Sequence, residues 1–202
     1  MVWGMLNEVG RKIIHIMILL VLGAYFLIEE YLVNVGYNAD LAKQVALMSL
    51  LLLLIVFLVL EYFRLELGWK MGFFGVFIRP KEQNRMYGSI YFLSSTIISL
   101  AVFNKNIAIA ALLMTTFGDM VAALVGKKYG TSIVYRNKTW AGFFAELATN
   151  LAVGFLLLDN IWIIIGMAAV ATVVETLVDE LDDNLIIPLF AGFVGQIIFF
   201  SL

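Results

Sequence analysis

Apolar residues in this chain run in long blocks separated by short polar breaks. Blocks at Ile13 to Ile28, Val45 to Leu60, Tyr87 to Phe103, Ile107 to Val125, Trp140 to Leu158, Ile161 to Val178 and Leu185 to Ser201 each approach the roughly 20 residues that carry a helix across a bilayer. They predict about seven transmembrane helices. One further apolar segment, Met71 to Ile78, is bounded by Lys70 and Arg79-Pro80; it is too short to cross and is expected to lie in the membrane interface. The fold class expected is therefore all-α, a polytopic integral membrane helical bundle forming a single membrane-embedded domain over residues 1–202.

Composition agrees. Of the 202 residues, 63% are apolar and 14% charged, and the mean hydropathy is +0.99, beyond what a soluble domain can hide. The net charge of -2, without a basic stripe or tail, argues against a nucleic-acid partner. Cysteine is absent, which excludes disulfides, thiolate catalysis and Cys-based zinc sites. The first block has a basic flank, Arg11-Lys12, and lacks a small-residue cleavage site, so an uncleaved first helix is expected. With the N-terminus inside, eleven Lys and Arg residues fall in inside segments and only Lys43 and Lys105 outside. The positive-inside rule then predicts a cytoplasmic N-terminus and, for seven spans, an external C-terminus.

Four polar groups share the predicted cytoplasmic face. Glu8, Arg11, Lys12 and His15 are spaced to lie on one helical face at the bilayer boundary, as a site or as an anchor that snorkels. Glu61 and Arg64 at i, i+3 permit an ion pair, and the basic loop beyond suits substrate or anionic lipid. The third group is Gly118-Asp119, then Ala122, Ala123, Gly126, Lys127, Lys128 and Gly130, followed by Arg136, Lys138, Thr139 and Gly142. A carboxylate inside an apolar helix is costly and needs a cation or proton, while the small residues let a helix or ligand approach closely. The helix is expected to open into a glycine-punctuated loop whose cations gather around phosphates, helped by N–H groups at the start of the next helix. The fourth group is Glu175, Asp179, Asp182, Asp183 and Asn184, with Pro188 beyond. Glu175, Asp179 and Asp182 are expected on one helical face, where like charges call for a cation; oxygen ligands shared with phosphate suit magnesium, and a solvated acidic cap is the alternative.

Taken in order, these motifs resemble the CTP-dependent lipid-alcohol kinases, the group holding dolichol kinase, phytol kinase and yeast-type diacylglycerol kinase. The resemblance rests on Glu8-x-x-Arg11-Lys12-x-x-His15, Glu61-x-x-Arg64, the Asp119 to Gly130 segment, Lys138-Thr139, and Glu175 with Asp182-Asp183-Asn184-x-x-x-Pro188. One departure is Ala141-Gly142, where the family commonly has Glu-Gly; any acidic role there is absent or passed to Glu146. The resemblance implies transfer of the terminal phosphate of CTP to a membrane-dissolved alcohol, giving a lipid monophosphate and CDP. It implies catalytic roles for Asp119, His15 and Lys138, and magnesium on Asp119, Glu175, Asp179, Asp182 and Asp183. Nucleotide contacts are implied for Arg11, Lys12, Gly126, Lys127, Lys128, Gly130, Arg136, Lys138, Thr139 and Asn184, with Glu8, Glu61, Arg64 and Glu146 in support. The protein is expected in the plasma membrane of a prokaryote or an endomembrane, with its site on the cytoplasmic face that the topology predicts. Competing readings are a phosphatidate cytidylyltransferase-like enzyme, which attacks the alpha phosphate, and a small ion- or proton-coupled transporter.

Overall fold

The computed structural model describes residues 19–68, 85–178 and 181–202. Expectations for Glu8, Arg11, Lys12 and His15, for the segment Met71 to Ile78 and for Asp179 lie outside the described residues. Seven helices are present among the described residues: α1 (19–34), α2 (Ala39–Glu66), α3 (Gly88–Val102), α4 (Lys105–Tyr129), α5 (Trp140–Leu157), α6 (Ile161–Leu177) and α7 (Asp183–Ser201). Four of them, α2, α4, α5 and α7, are long and apolar enough to cross a membrane, and α3 and α6 are shorter apolar helices. The protein is an all-α membrane bundle.

Helices outrun the apolar blocks because polar residues at their ends keep the backbone satisfied. The Asn38 side chain caps α2, accepting from the N–H groups of Asp40 (2.7 Å) and Leu41 (3.1 Å), and the helix continues through Glu61 and Arg64. In α4 the chain stays helical through Tyr129, with Lys127 and Lys128 in its last turn, where cations offset the negative end of the helix. These two lysines therefore sit on the helix, not in the loop expected after Val125. That loop is also more ordered than its glycines suggest: β1 (Ile133–Tyr135) and β2 (Lys138–Thr139) pair antiparallel, with Tyr135 opposite Lys138. Arg136, in the turn between them, is left-handed at φ 46°.

Contacts divide the chain into two compact units at Ile97/Ile98. The first holds α1, α2 and most of α3; the second holds α4 to α7 and the hairpin. In the second unit α4 packs on α5 and α7, α6 packs on α5 and α7, and β1 rests on α6.

In the second unit several alanines sit at the centre of the packing while many large apolar side chains face outward. Ala108, Ala110 and Ala111 of α4, Ala168 and Ala171 of α6 and Ala191 of α7 are fully buried, whereas Leu156 is 83% and Phe200 78% exposed. Water would penalise that arrangement, but lipid does not, since in a bilayer close backbone approach replaces hydrophobic burial as the driving term. The tightest seam joins α4 and α5. A Cβ placed on Gly142 would stand 3.0 Å from the Ala122 carbonyl oxygen and 3.5 Å from the Gly126 Cα, and one on Gly118 would meet Asn150 Oδ1 at 2.6 Å. Gly118, Ala122 and Gly126 thus face Gly142, Glu146 and Asn150, three residues each spaced by four along their helices.

Candidate active site

Within the second unit, the α4–α5 seam fixes where Asp119 goes. Next to Gly118 on α4, it lies one step around the helix from the packing face. Its electrostatic neighbours include Glu175 near the end of α6, Asp183 at the start of α7, Lys138 of β2 and Glu146 of α5. Four helices and a hairpin thereby deliver charged groups from across the second half of the chain to one place.

Lys138 is the hub. Its Nζ donates to Glu175 Oε1 in an ion pair, with Glu175 buried and Lys138 partly exposed. Burial is the largest single effect and opposes the lysine's charge, but Glu175, Asp183 and Asp119 together outweigh it; the ammonium is held above the ordinary value of 10.5. The second oxygen of Glu175, Oε2, is buried without a hydrogen-bond partner. Such an orphan on a buried carboxylate is costly unless a proton or cation meets it.

Beneath the hub, polar residues continue into the bundle. Glu146 is 3% exposed, and Asn150 and Thr172 are fully buried. Asn150 Nδ2 donates to Thr172 Oγ1 at 3.1 Å, and that hydroxyl donates to the Ala168 carbonyl at 2.9 Å. This bond ties α5 to α6 one turn below Glu175. Asn150 and Thr172 were not singled out from the sequence. The signal was Gly142-x-x-x-Glu146-x-x-x-Asn150, a small and polar column in an otherwise apolar helix. Glu146 belongs to that column and lies in the electrostatic field of Glu175, Lys138 and Asp119.

Two expected roles meet groups already engaged. Thr139 caps α5, its Oγ1 accepting from Gly142 N–H at 3.2 Å, and Trp140 N–H donates to the Ser132 carbonyl at 3.1 Å, so two of the N–H groups at the start of α5 are occupied. Gly126 and Gly130 make room for Thr139: Cβ atoms there would stand 3.1 Å and 2.6 Å from its Oγ1. Lys127, Lys128 and Arg136 are exposed at this same end of α4 and the hairpin, Lys128 lying over the Tyr129 ring and Arg136 over the Tyr135 ring.

The acidic stretch needs one correction. Glu175 and Asp182 do not share a helical face, because α6 stops at Leu177 and Asp182 is the extended N-cap of α7. Asp182 Oδ1 accepts from both the backbone N–H (3.1 Å) and the side-chain Nδ2 (2.8 Å) of Asn184; capping is what an aspartate before a helix does best. Among the described residues no group of three or more acidic or histidine side chains is arranged to hold a metal ion unaided.

In the first unit, Glu61 and Arg64 form the anticipated pair and more. Arg64 donates from Nε to Glu61 Oε2 at 2.8 Å and from Nη2 to Glu61 Oε1 at 2.6 Å. Nη2 also donates to the Arg85 carbonyl at 2.6 Å, Tyr87 N–H donates to Glu61 Oε1 at 3.0 Å, and the guanidinium sits 4.2 Å from the Tyr87 ring centroid. The pair pins the start of α3 to the end of α2.

Fold and site define a polytopic membrane protein with a carboxylate and lysine centre at one end of a helical unit. No family model and no solved structure matches the chain. Among curated proteins, the CTP-dependent diacylglycerol kinase 1 of Saccharomyces cerevisiae is 30% identical over 150 residues, covering 71% of this chain and 48% of the yeast protein. The probable phytol kinase, chloroplastic, of Zea mays is 28% identical over 141 residues, 60% of this chain and 46% of the maize protein. Phytol kinase 1, chloroplastic, of Arabidopsis thaliana is 28% identical over 129 residues, 54% of this chain and 42% of that protein. The chain belongs to the CTP-dependent lipid kinase family, and it spans about half the length of the curated relatives it matches.

Proposed function

We propose that this protein is a CTP-dependent kinase that transfers the gamma phosphate to the hydroxyl of a membrane lipid alcohol: a polyprenol, dolichol, phytol or geranylgeraniol, or diacylglycerol. The observation that carries the reading is the Lys138–Glu175 ion pair between β2 and α6, with Asp119 of α4 and Asp183 of α7 in its electrostatic field. Phosphoryl transfer asks for positioning and charge stabilisation more than for covalent chemistry by the protein. Carboxylates beside a lysine at the end of a lipid-facing helical unit suit it.

The donor set fits Mg2+. Magnesium is bound through one or two carboxylates plus substrate phosphates and keeps several waters, so a full protein cage is not required, and the orphan oxygen of Glu175 is a ligand in waiting. Asp119 with Asp183 or Asp182 would hold the ion, with Glu175 beside them. When bound, Mg2+ supplies charge neutralisation on the nucleotide phosphates. Lys138, Lys127, Lys128 and Arg136 hold the triphosphate, while Gly126, Gly130, Thr139 and Asn184 shape its bed. Asp119 is the group proposed to receive the alcohol proton, a role that needs reach as well as a suitable pKa. The lipid tail stays in the bilayer and its hydroxyl meets the nucleotide at the boundary, on the cytoplasmic face of a prokaryotic plasma membrane or an endomembrane.

Purified protein with Mg2+, lipid alcohols and CTP labelled at either the gamma or the alpha phosphate tests this directly. Gamma label in the lipid supports the kinase. Alpha label in the lipid with labelled pyrophosphate released from gamma-labelled CTP would establish a cytidylyltransferase in its place.

A further inference from the structure

Asn150 is buried within α5 and meets a different helix with each end of its amide. Its Nδ2 donates to Thr172 Oγ1 on α6 at 3.1 Å. Its Oδ1 has no hydrogen-bond donor and presses on α4, 2.6 Å from the point that a Cβ on Gly118 would occupy. Gly118 therefore has to be bare for Asn150 to fit. An acceptor buried without a donor is costly, and an apolar side chain of similar shape would fill the seam without that cost. Stability alone does not account for an asparagine at this position.

Both contacts fall beside the carboxylates of the candidate site. Gly118 immediately precedes Asp119 on α4, and Thr172 comes one turn before Glu175 on α6, both buried. Thr172 Oγ1 also donates to the Ala168 carbonyl at 2.9 Å, which holds the hydroxyl on its own helix. One planar amide thus pulls α6 with its donor end and stops α4 with its acceptor end. Contacts between small residues leave neighbouring helices free to shift along their seam, whereas a single buried asparagine fixes their register at some cost in stability. Building on the phosphoryl-transfer reading above, we propose that Asn150 is a positioning residue that sets α4 against α6 and so holds Asp119 and Glu175 at a fixed spacing. Lys138 is placed with them through its ion pair to Glu175. Phosphoryl transfer depends on such placement, and a shift of about 1 Å costs up to about a hundredfold in rate.

The test compares Asn150→Leu, Thr172→Val and their double variant with the unmodified full chain in the same mixed micelles, by kcat and by KM for CTP. Each single variant should lower kcat about tenfold and leave KM for CTP within about twofold, because Lys127, Lys128 and Arg136 lie at the hairpin and the last turn of α4, beyond the reach of Asn150. The double variant should lose no more than the worse single, since both substitutions break the same link. Thr149→Val, which removes a hydroxyl that donates within α5 to the Ala145 carbonyl, is the control and should turn over normally. A folded Asn150→Leu that keeps kcat within about twofold overturns the proposal, and so do losses that multiply in the double variant or that appear in KM alone. Hydrogen–deuterium exchange separates this proposal from the kinase reading, since it needs no turnover. Peptides holding Gly118 and peptides holding Thr172 should both exchange several-fold faster in each single variant, Thr172→Val covering the case in which Asn150→Leu folds poorly. Unchanged exchange in either helix overturns the link even where transfer is active. Absence of transfer by the unmodified protein overturns the kinase reading and the part of Asn150 in it, whatever the exchange shows.

Discussion

Gly118→Ala probes the seam that sets Asp119. The added Cβ would lie 2.6 Å from Asn150 Oδ1 and 3.2 Å from Glu146 Cγ, so Asn150 must retreat by about 0.7 Å to reach ordinary carbon–oxygen contact, an overpacking strain worth about 1–3 kcal/mol. Retreat is blocked by the 3.1 Å bond from Asn150 to Thr172, and losing that buried bond adds about 1 kcal/mol. Alanine returns about 1 kcal/mol of helix propensity. The net expectation is a loss of about 1–3 kcal/mol, together with reduced phosphate transfer, because the residue beside Asp119 has moved. Gly23→Ala is the control: it lies within α1 with no heavy atom within 4 Å of its built Cβ, so it should be neutral or slightly stabilising. Both are read by unfolding in mixed micelles of increasing sodium dodecyl sulfate, followed by tryptophan fluorescence. Gly118→Ala as stable as Gly23→Ala would refute the seam.

Other expectations follow from single interactions. Glu61→Gln removes a buried carboxylate that serves Arg64 twice and Tyr87 N–H once and should cost about 3 kcal/mol, with Arg64→Lys losing much of the same because lysine lacks the planar fork; an effect below about 0.5 kcal/mol on the same unfolding assay contradicts the clasp. A double-mutant cycle of Asn150→Leu and Thr172→Val should show coupling of about 1 kcal/mol, and strict additivity would contradict the bond. Because the Lys138 pKa is raised above 10.5 by its acidic neighbours, the stability it contributes is fully present below 10.5 and is lost as pH climbs through the higher folded value. Lys138→Met should therefore lack the alkaline fall in stability seen for the unmodified chain, and identical alkaline limbs would contradict the pairing.

The helices were legible because lipid requires long apolar runs, and their ends were not, because Asn38, Asp40 and Lys43 at the start of α2 and Lys127 and Lys128 at the end of α4 extend the helix with polar residues that a hydropathy reading discards. Asp119, Lys138, Glu175 and Asp183 stood out as charges beside or within apolar stretches. Their convergence was legible only as an expectation drawn from topology, since Lys138 and Glu175 are 37 residues apart and nothing local ties them. Asn150 and Thr172 escaped notice because neutral polar residues carry no charge signal in a helix. The hairpin at Ile133–Tyr135 and Lys138–Thr139 was hidden behind the lysines and glycines that flank it, and the break between Glu175 and Asp182 was hidden behind a helical spacing that the N-cap preference of Asp182 overrides.

Convergence of α4 and α7 at the carboxylates can be measured outright, since the chain contains no cysteine and any introduced pair is free of background. Asp119→Cys combined with Asp183→Cys, with a protease site engineered at Asp159-Asn160 between α5 and α6, is treated in membranes with a short bifunctional thiol reagent and then cleaved. Fragments that stay joined under denaturing conditions match one shared site; fragments that separate, in a variant pair that still inserts and folds, contradict it.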